Sequence, residues 1–185
     1  MKAGKSMRKV CVGLLAGGLM LSLFASATPP SPMNIQVTIN NSRPTCDITV
    51  PPGAIDLSIL KRDGAEYSHN PFRVNISCQG EIKTALTANR NNGTLLNGDN
   101  KSLAVSVEGN KPDTTHGPIL KLRVNNNGVN KDVNLDNSEE FCISANPPGS
   151  GNINYCEITP VTRVNKGAPA GVGRATITFT IAYPT

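Results

Sequence analysis

Apolar and polar residues alternate along this chain in short bursts, and each burst ends in a cluster of turn formers. Val37 stands between Gln36 and Thr38, Val74 between Arg73 and Asn75, and Ile177 between Thr176 and Thr178. A period of two gives a strand one apolar face. Clusters such as Pro51-Pro52-Gly53, Asn91-Asn92-Gly93, Asn97-Gly98-Asp99, Asn126-Asn127-Gly128 and Pro147-Pro148-Gly149 recur often enough to hold most strands to about 5 to 8 residues. The pattern predicts strands over residues 34–39, 47–50, 54–60, 72–78, 82–88, 103–107, 119–125, 132–135, 141–145, 153–159 and 174–183. No stretch carries the i, i+3, i+4, i+7 repeat of an amphipathic helix, and residues 55–60 could close one helical turn at most. This is the pattern of an all-β protein, most simply a single β-sandwich of antiparallel strands.

A length of 185 residues suits one domain, and the first part of it reads as an address. Lys2, Lys5, Arg8 and Lys9 precede the uncharged run from Val10 to Phe24, which ends at Ala25, Ser26 and Ala27. A basic end, a short apolar stretch and a small-x-small site compose a secretory signal peptide over residues 1–27. The run is short for a membrane span, and nothing later in the chain reaches about 18 uncharged apolar residues, so the exported chain is read as not membrane-spanning. Without that segment, 158 residues carry 14 basic and 13 acidic side chains, and the net charge falls from +5 to about +1. So small a charge, with 4 % aromatic residues, excludes nucleic acid as a partner.

Cys11 leaves with the signal, and four cysteines remain in an oxidising compartment, where pairing is the expected fate. Four cysteines allow three connectivities. Cys46 opens one predicted strand and Cys78 closes another, while Cys142 and Cys156 flank a Pro-Pro-Gly-Ser-Gly turn. Pairing Cys46 with Cys78 and Cys142 with Cys156 is the simplest arrangement; a hairpin would bring the second pair face to face, stabilising by about 3 kcal/mol. No C-x2-C spacing occurs, so no metal site is expected from these cysteines.

Catalytic chemistry finds no support. His69 lies beside Asn70-Pro71 and His116 beside Gly117-Pro118, in turn-like surroundings, with Glu66 and Asp113 near in sequence. No G-x-S-x-G, H-E-x-x-H or phosphate-binding glycine loop is present. Glu139 and Glu140 are adjacent, and in a strand adjacent side chains point to opposite faces. The expectation is a protein that is not an enzyme and uses no cofactor.

The two ends are more specific. Ala175, Ile177, Phe179, Ile181 and Tyr183 line one face of the last predicted strand, with Thr176, Thr178, Thr180 and Ala182 on the other. A long apolar strand at a chain end needs something beside it, because unpaired backbone groups and an apolar face are otherwise left open. At the other end Ile35, Val37 and Ile39 alternate with Gln36 and Thr38 on a proline-rich leader, a short apolar strand that is separable from the domain.

In order and spacing these features resemble the pilin-type subunits of chaperone-usher fimbriae, the family of type 1 and P pilus subunits. The arm 28–44 leads to Cys46, the strand Phe72–Cys78 ends at the second cysteine, and Gly171 stands twelve positions before Tyr183 with alternating apolar residues between them. The resemblance implies a domain over 45–185 with an immunoglobulin-like β-sandwich that is incomplete, lacking its final strand. That strand would come first from a periplasmic chaperone and then, at an outer-membrane usher, from the arm of a neighbouring fimbrial subunit, by β-augmentation. Ile35, Val37 and Ile39 would then be the donor strand, and Gly171, Ala175, Ile177, Phe179, Ile181 and Tyr183 the acceptor-groove terminal strand. It implies export through the periplasm to the cell surface. The arm carries Ile39, Asn40 and Asn41 where family arms usually have a glycine, and a second cysteine pair is unusual for a major rod subunit. Both departures suit a minor or tip-associated subunit supporting cell adhesion. A host-surface receptor is the remaining partner class, with no residues assigned to it. The alternative is a self-complete secreted β-sandwich binding module, carbohydrate being its candidate ligand, in which residues 34–39 pair in cis with the last strand.

Overall fold

The computed structural model describes residues 32–40, 46–79, 82–126, 128–144 and 153–184. The signal peptide over 1–27, the leader 28–31 and the turn at 147–149 lie outside them. In chain order the strands are β1 (Pro32–Asn40), β2 (Cys46–Thr49), β3 (Ile55–Ile59), β4 (Glu66–Ser68), β5 (Phe72–Cys78), β6 (Ala85–Arg90), β7 (Thr94–Leu96), β8 (Asp99–Ala104), β9 (Ser106–Val107), β10 (Ile119–Asn126), β11 (Val129–Asp132), β12 (Ile153–Arg163) and β13 (Gly173–Ala182). Among the described residues no helix is long and apolar enough to cross a membrane.

The strands form two sheets. The smaller runs β3-β1-β13-β6, with β9 paired to β13, and the larger runs β2-β5-β12-β10-β8-β7, with β11 on β10 and β4 on β12. One apolar cluster fills the space between them: Leu57, Leu86, Ile177 and Phe179 come from the smaller sheet, Val74, Ile76, Leu120, Leu122 and Ile158 from the larger. Alternation is clearest in β5 and β13, where every second residue is buried, as a sheet with one face on the core requires.

Two stretches change sheets. β2 belongs to the larger sheet and β3 to the smaller. Between them lie Pro51 and Pro52, which have no N–H to give a ladder, and Gly53 at φ +86°. The predicted strand 103–107 likewise divides into β8 and β9, on opposite layers, with the buried Val105 at the corner.

Other departures have similar causes. Residues 55–60 form no helical turn; they include β3, whose Leu57 enters the core, with Ser58 at φ +57° and its N–H donating to Asp56 Oδ1 at 2.8 Å. Residues 132–135 are no strand of their own, because β11 ends at Asp132; Val133 and Leu135 are buried while donating N–H to Leu122 O and Asn100 O, both at 2.8 Å. The stretch 153–159 continues to Arg163 through Pro160, whose carbonyl accepts from His69 N at 2.9 Å. The strands β4 and β7, of three residues each, are too short for a periodicity argument.

Both expected cystines form. Cys46 and Cys78 face each other across β2 and β5. The second pair is not a hairpin bridge: Phe141 makes a single bridge with Leu86 of β6, residues 141–144 form no strand, and Cys156 sits in β12. The cystine therefore joins the two sheets, because the core draws Phe141 towards β6. Glu139 and Glu140 lie in an irregular segment, with Glu139 paired to Lys131.

Candidate strand-acceptor groove

The residues at the two ends of the chain come together. Strand β1 lies parallel to β13, with Ile35 beside Ala175, Val37 beside Ile177 and Ile39 beside Phe179. On its other side β1 runs antiparallel to β3, through Pro32 with Ile59, Asn34 with Asp56 and Ile35 with Ile55. The arm expected to be separable is therefore docked in its own domain. Among the described residues it is also the sole pairing partner of β3, so the smaller sheet has a groove between β3 and β13 that β1 fills.

The fit is uneven. Ile35 is completely buried, whereas Val37 and Ile39 are only partly covered, with Gln36 and Thr38 exposed. The reason lies in β3, whose pairing with β1 stops at Ile35 because the chain turns away at Gly53 and Ala54. Where it stops, an open cleft of about 430 Å³ is lined by Asn34, Gln36, Gly53, Ala54, Asn92 and Arg174.

The floor is regular. Ala175, Ile177, Phe179 and Ile181 are buried to within 4 % exposure, while Thr176, Thr178 and Thr180 face outward. Thr176 is held on its β6 side, its N–H donating to Asn92 Oδ1 at 2.6 Å and its carbonyl accepting from Asn91 N at 2.8 Å. Of the sequence-derived residues, Gly171 and Tyr183 flank β13 rather than belonging to it. Gly171 has φ +142°, and a Cβ there would lie 2.6 Å from Glu108 Cγ, so only glycine lets the chain enter β13 beside β9. Tyr183 is partly buried against the core.

Phe72 and Phe141 back the floor residue Phe179 from inside the core, a contact that sequence reasoning missed. Their ring centroids each lie 6.3 Å from that of Phe179, from β5 on one flank and the irregular 141–144 segment on the other. The available signal was composition: the chain has four phenylalanines and no tryptophan, and scarce large rings gather where a core is thickest.

The energetics follow from this geometry. A net hydrogen bond contributes about 0.5–1.5 kcal/mol, and fixing one residue's backbone costs about 1–2, so the main-chain ladder of the arm roughly cancels. Side chains decide whether it stays. Full burial of Ile35 contributes about 1.5–3 kcal/mol, and Val37 and Ile39 contribute less because they remain partly wet.

Charged groups gather elsewhere. On β4, β10 and β11, Lys121 Nζ lies 2.7 Å from Glu66 Oε1 and Arg123 Nε 2.6 Å from Asp132 Oδ1. The Lys121 hydrogen bond holds the Glu66 carboxyl below its usual range. Glu66 is thus engaged away from His69, whose Nε2 lies 2.7 Å from Thr162 Oγ1 and whose pKa burial depresses. His116 Nδ1 is 3.4 Å from Asp113, both largely exposed. Among the described residues no group of three or more His, Cys, Asp or Glu is placed to hold a metal ion. An apolar, main-chain-lined slot can recognise an extended peptide.

Among solved structures, the P pilus rod subunit PapA matches this chain with a TM-score of 0.50 at 17 % identity, over 76 % of this chain and 99 % of that one. The chain shares the immunoglobulin-like sandwich fold of that structure. A chaperone-usher pilus structure matches at 19 % identity over 75 % of this chain and 87 % of the other, with a TM-score of 0.47. No protein-family model matches the chain, and no curated protein matches it in sequence.

Proposed function

We propose that this chain is a subunit of a chaperone-usher fimbria that polymerises by donor-strand exchange, with its arm entering the groove of a neighbouring subunit. The observation that carries this reading is the arm's uneven fit in cis: the groove between β3 and β13 takes an alternating strand, yet buries only one of its three apolar residues fully. A tethered arm has an effective concentration in the millimolar range, an advantage of about 4 kcal/mol over a free competitor at about 1 μM. A competing strand that buried two further residues at about 1.5–3 kcal/mol each would match it. The cis-docked arm is then a resting state, displaced first by a periplasmic chaperone and, at the outer-membrane usher, by the arm of the next subunit. The second cystine and an arm without glycine favour a minor or tip-associated position in a cell-surface fimbrium that supports adhesion.

The cis pairing also favours a second reading, a self-complete secreted binding module. The two diverge on deletion of residues 28–43. As a fimbrial subunit, the intact chain incorporates into fibres, and the deleted chain is recovered only with a chaperone or a peptide spanning 28–44, without polymerising. A self-complete module stays monomeric when intact and takes up no such peptide. An intact chain that remains a monomer in the presence of chaperone, usher and partner subunits overturns the fimbrial reading.

A further inference from the structure

We propose that the Cys142–Cys156 cystine is a positioning device for the groove: it locks Phe141 against Phe179 from the β6 side and so steadies the floor strand β13 where the arm's third apolar residue lies beside it. Cys142 carries a left-handed φ of +52°, unfavourable for a residue with a Cβ, so the 141–144 segment is held in place by its attachments. On one side Phe141 and Leu86 exchange backbone hydrogen bonds at 2.8 and 2.9 Å, and Ser144 N donates to Thr84 O at 2.9 Å. On the other side the cystine ties the segment to β12 in the opposite sheet. Between these attachments the Phe141 ring meets Phe179 edge-on, with centroids 6.3 Å apart at 69°.

Phe179 has two aromatic neighbours of unequal security. Phe72 sits in the β5–β12 ladder opposite Ile158, whereas Phe141 sits in a stretch with one isolated bridge. Opening the cystine therefore removes one of the two anchors of the Phe141 flank and leaves the Phe72 flank in place. Ile39 lies beside Phe179, four residues from Ile35, which is packed beside Ala175 and Ile55. The effect is local to the far half of the arm. With this cystine open, the groove would hold the far half of an incoming arm more weakly. That consequence for assembly rests on the donor-strand reading above; the local coupling does not.

The test is hydrogen exchange at the arm amides of the intact exported chain, compared with the C142A/C156A variant. Loss of one aromatic contact should speed exchange at residues 38–40 roughly three- to tenfold while changing Ile35 less than about twofold. In double-mutant cycles the cystine should couple to Ile39→Ala and not to Ile35→Ala. Phe141→Leu keeps the bridge and should show the same far-half loosening, which keeps the test decisive if the double variant does not fold. A uniform rise along the arm, or no change in either variant, overturns the proposal. Because the experiment reads the cis arm, a failure of peptide 28–44 to bind the oxidised, arm-deleted domain would count against the donor-strand reading alone.

Discussion

Ile35 stands beside Ala175 in parallel register and is completely buried, while Ile39, further along the same strand and beside Phe179, is only partly covered. Strand β1 is therefore bonded on both sides at its start and on one side beyond. Its hold on the domain is concentrated in one side chain.

That concentration is measurable. Ile35→Ala should destabilise the folded chain by about 2–5 kcal/mol, limited by the docking energy of the arm itself, and Ile39→Ala by about 1 kcal/mol or less. Urea unfolding of the two variants gives the comparison. Equal losses would mean that the arm is seated evenly along its length.

The cystine between β2 and β5 spans 32 residues and the one between the sheets spans 14. On the loop-entropy account, removing the first should cost about 4 kcal/mol and the second about 3. Calorimetry on the paired alanine variants can order them. A larger loss for the shorter loop would point to native-state contacts, rather than chain entropy, as the main contribution of the inter-sheet bridge.

Gly171 combines a left-handed φ of +142° with a cradle formed by Glu108 and Val107. Gly171→Ala should cost about 1–3 kcal/mol and weaken the pairing of Gly173 with Val107, visible as faster exchange in β9. A neutral substitution would show that Glu108 can swing away without consequence.

His69 gives the folded state a pH dependence. Burial holds its imidazole below the ordinary value of 6.5. As pH falls the unfolded chain takes up this proton first, so stability is full above about 6.5 and declines from there down to the depressed folded value. The decline in unfolding free energy between pH 7.5 and 5.5 should be smaller in His69→Gln than in the unchanged chain. An identical slope in the two proteins would remove His69 from the account.

Much of the architecture was legible because its cause is local. Alternation in Phe72–Cys78 and in β13 reports which side chains face the core, and the structure buries those residues. The cysteine pairing was legible too. The hairpin expected around Cys142 and Cys156 was not, because alternation in 141–145 is equally satisfied by one bridge to β6. The meeting of Phe72 and Phe141 at Phe179 escaped notice because it joins segments distant in sequence.

By itself the sequence determined that the chain is all-β, that four cysteines are left to pair, and that the apolar last strand needs a companion. Only the tertiary structure decided that the two ends are each other's companion here, that β1 runs parallel to β13, and that Ile35 bears most of the contact. The physical reason is that periodicity is carried by neighbouring residues, whereas an open sheet edge accepts any strand with the right alternation, from either direction and from any part of the chain.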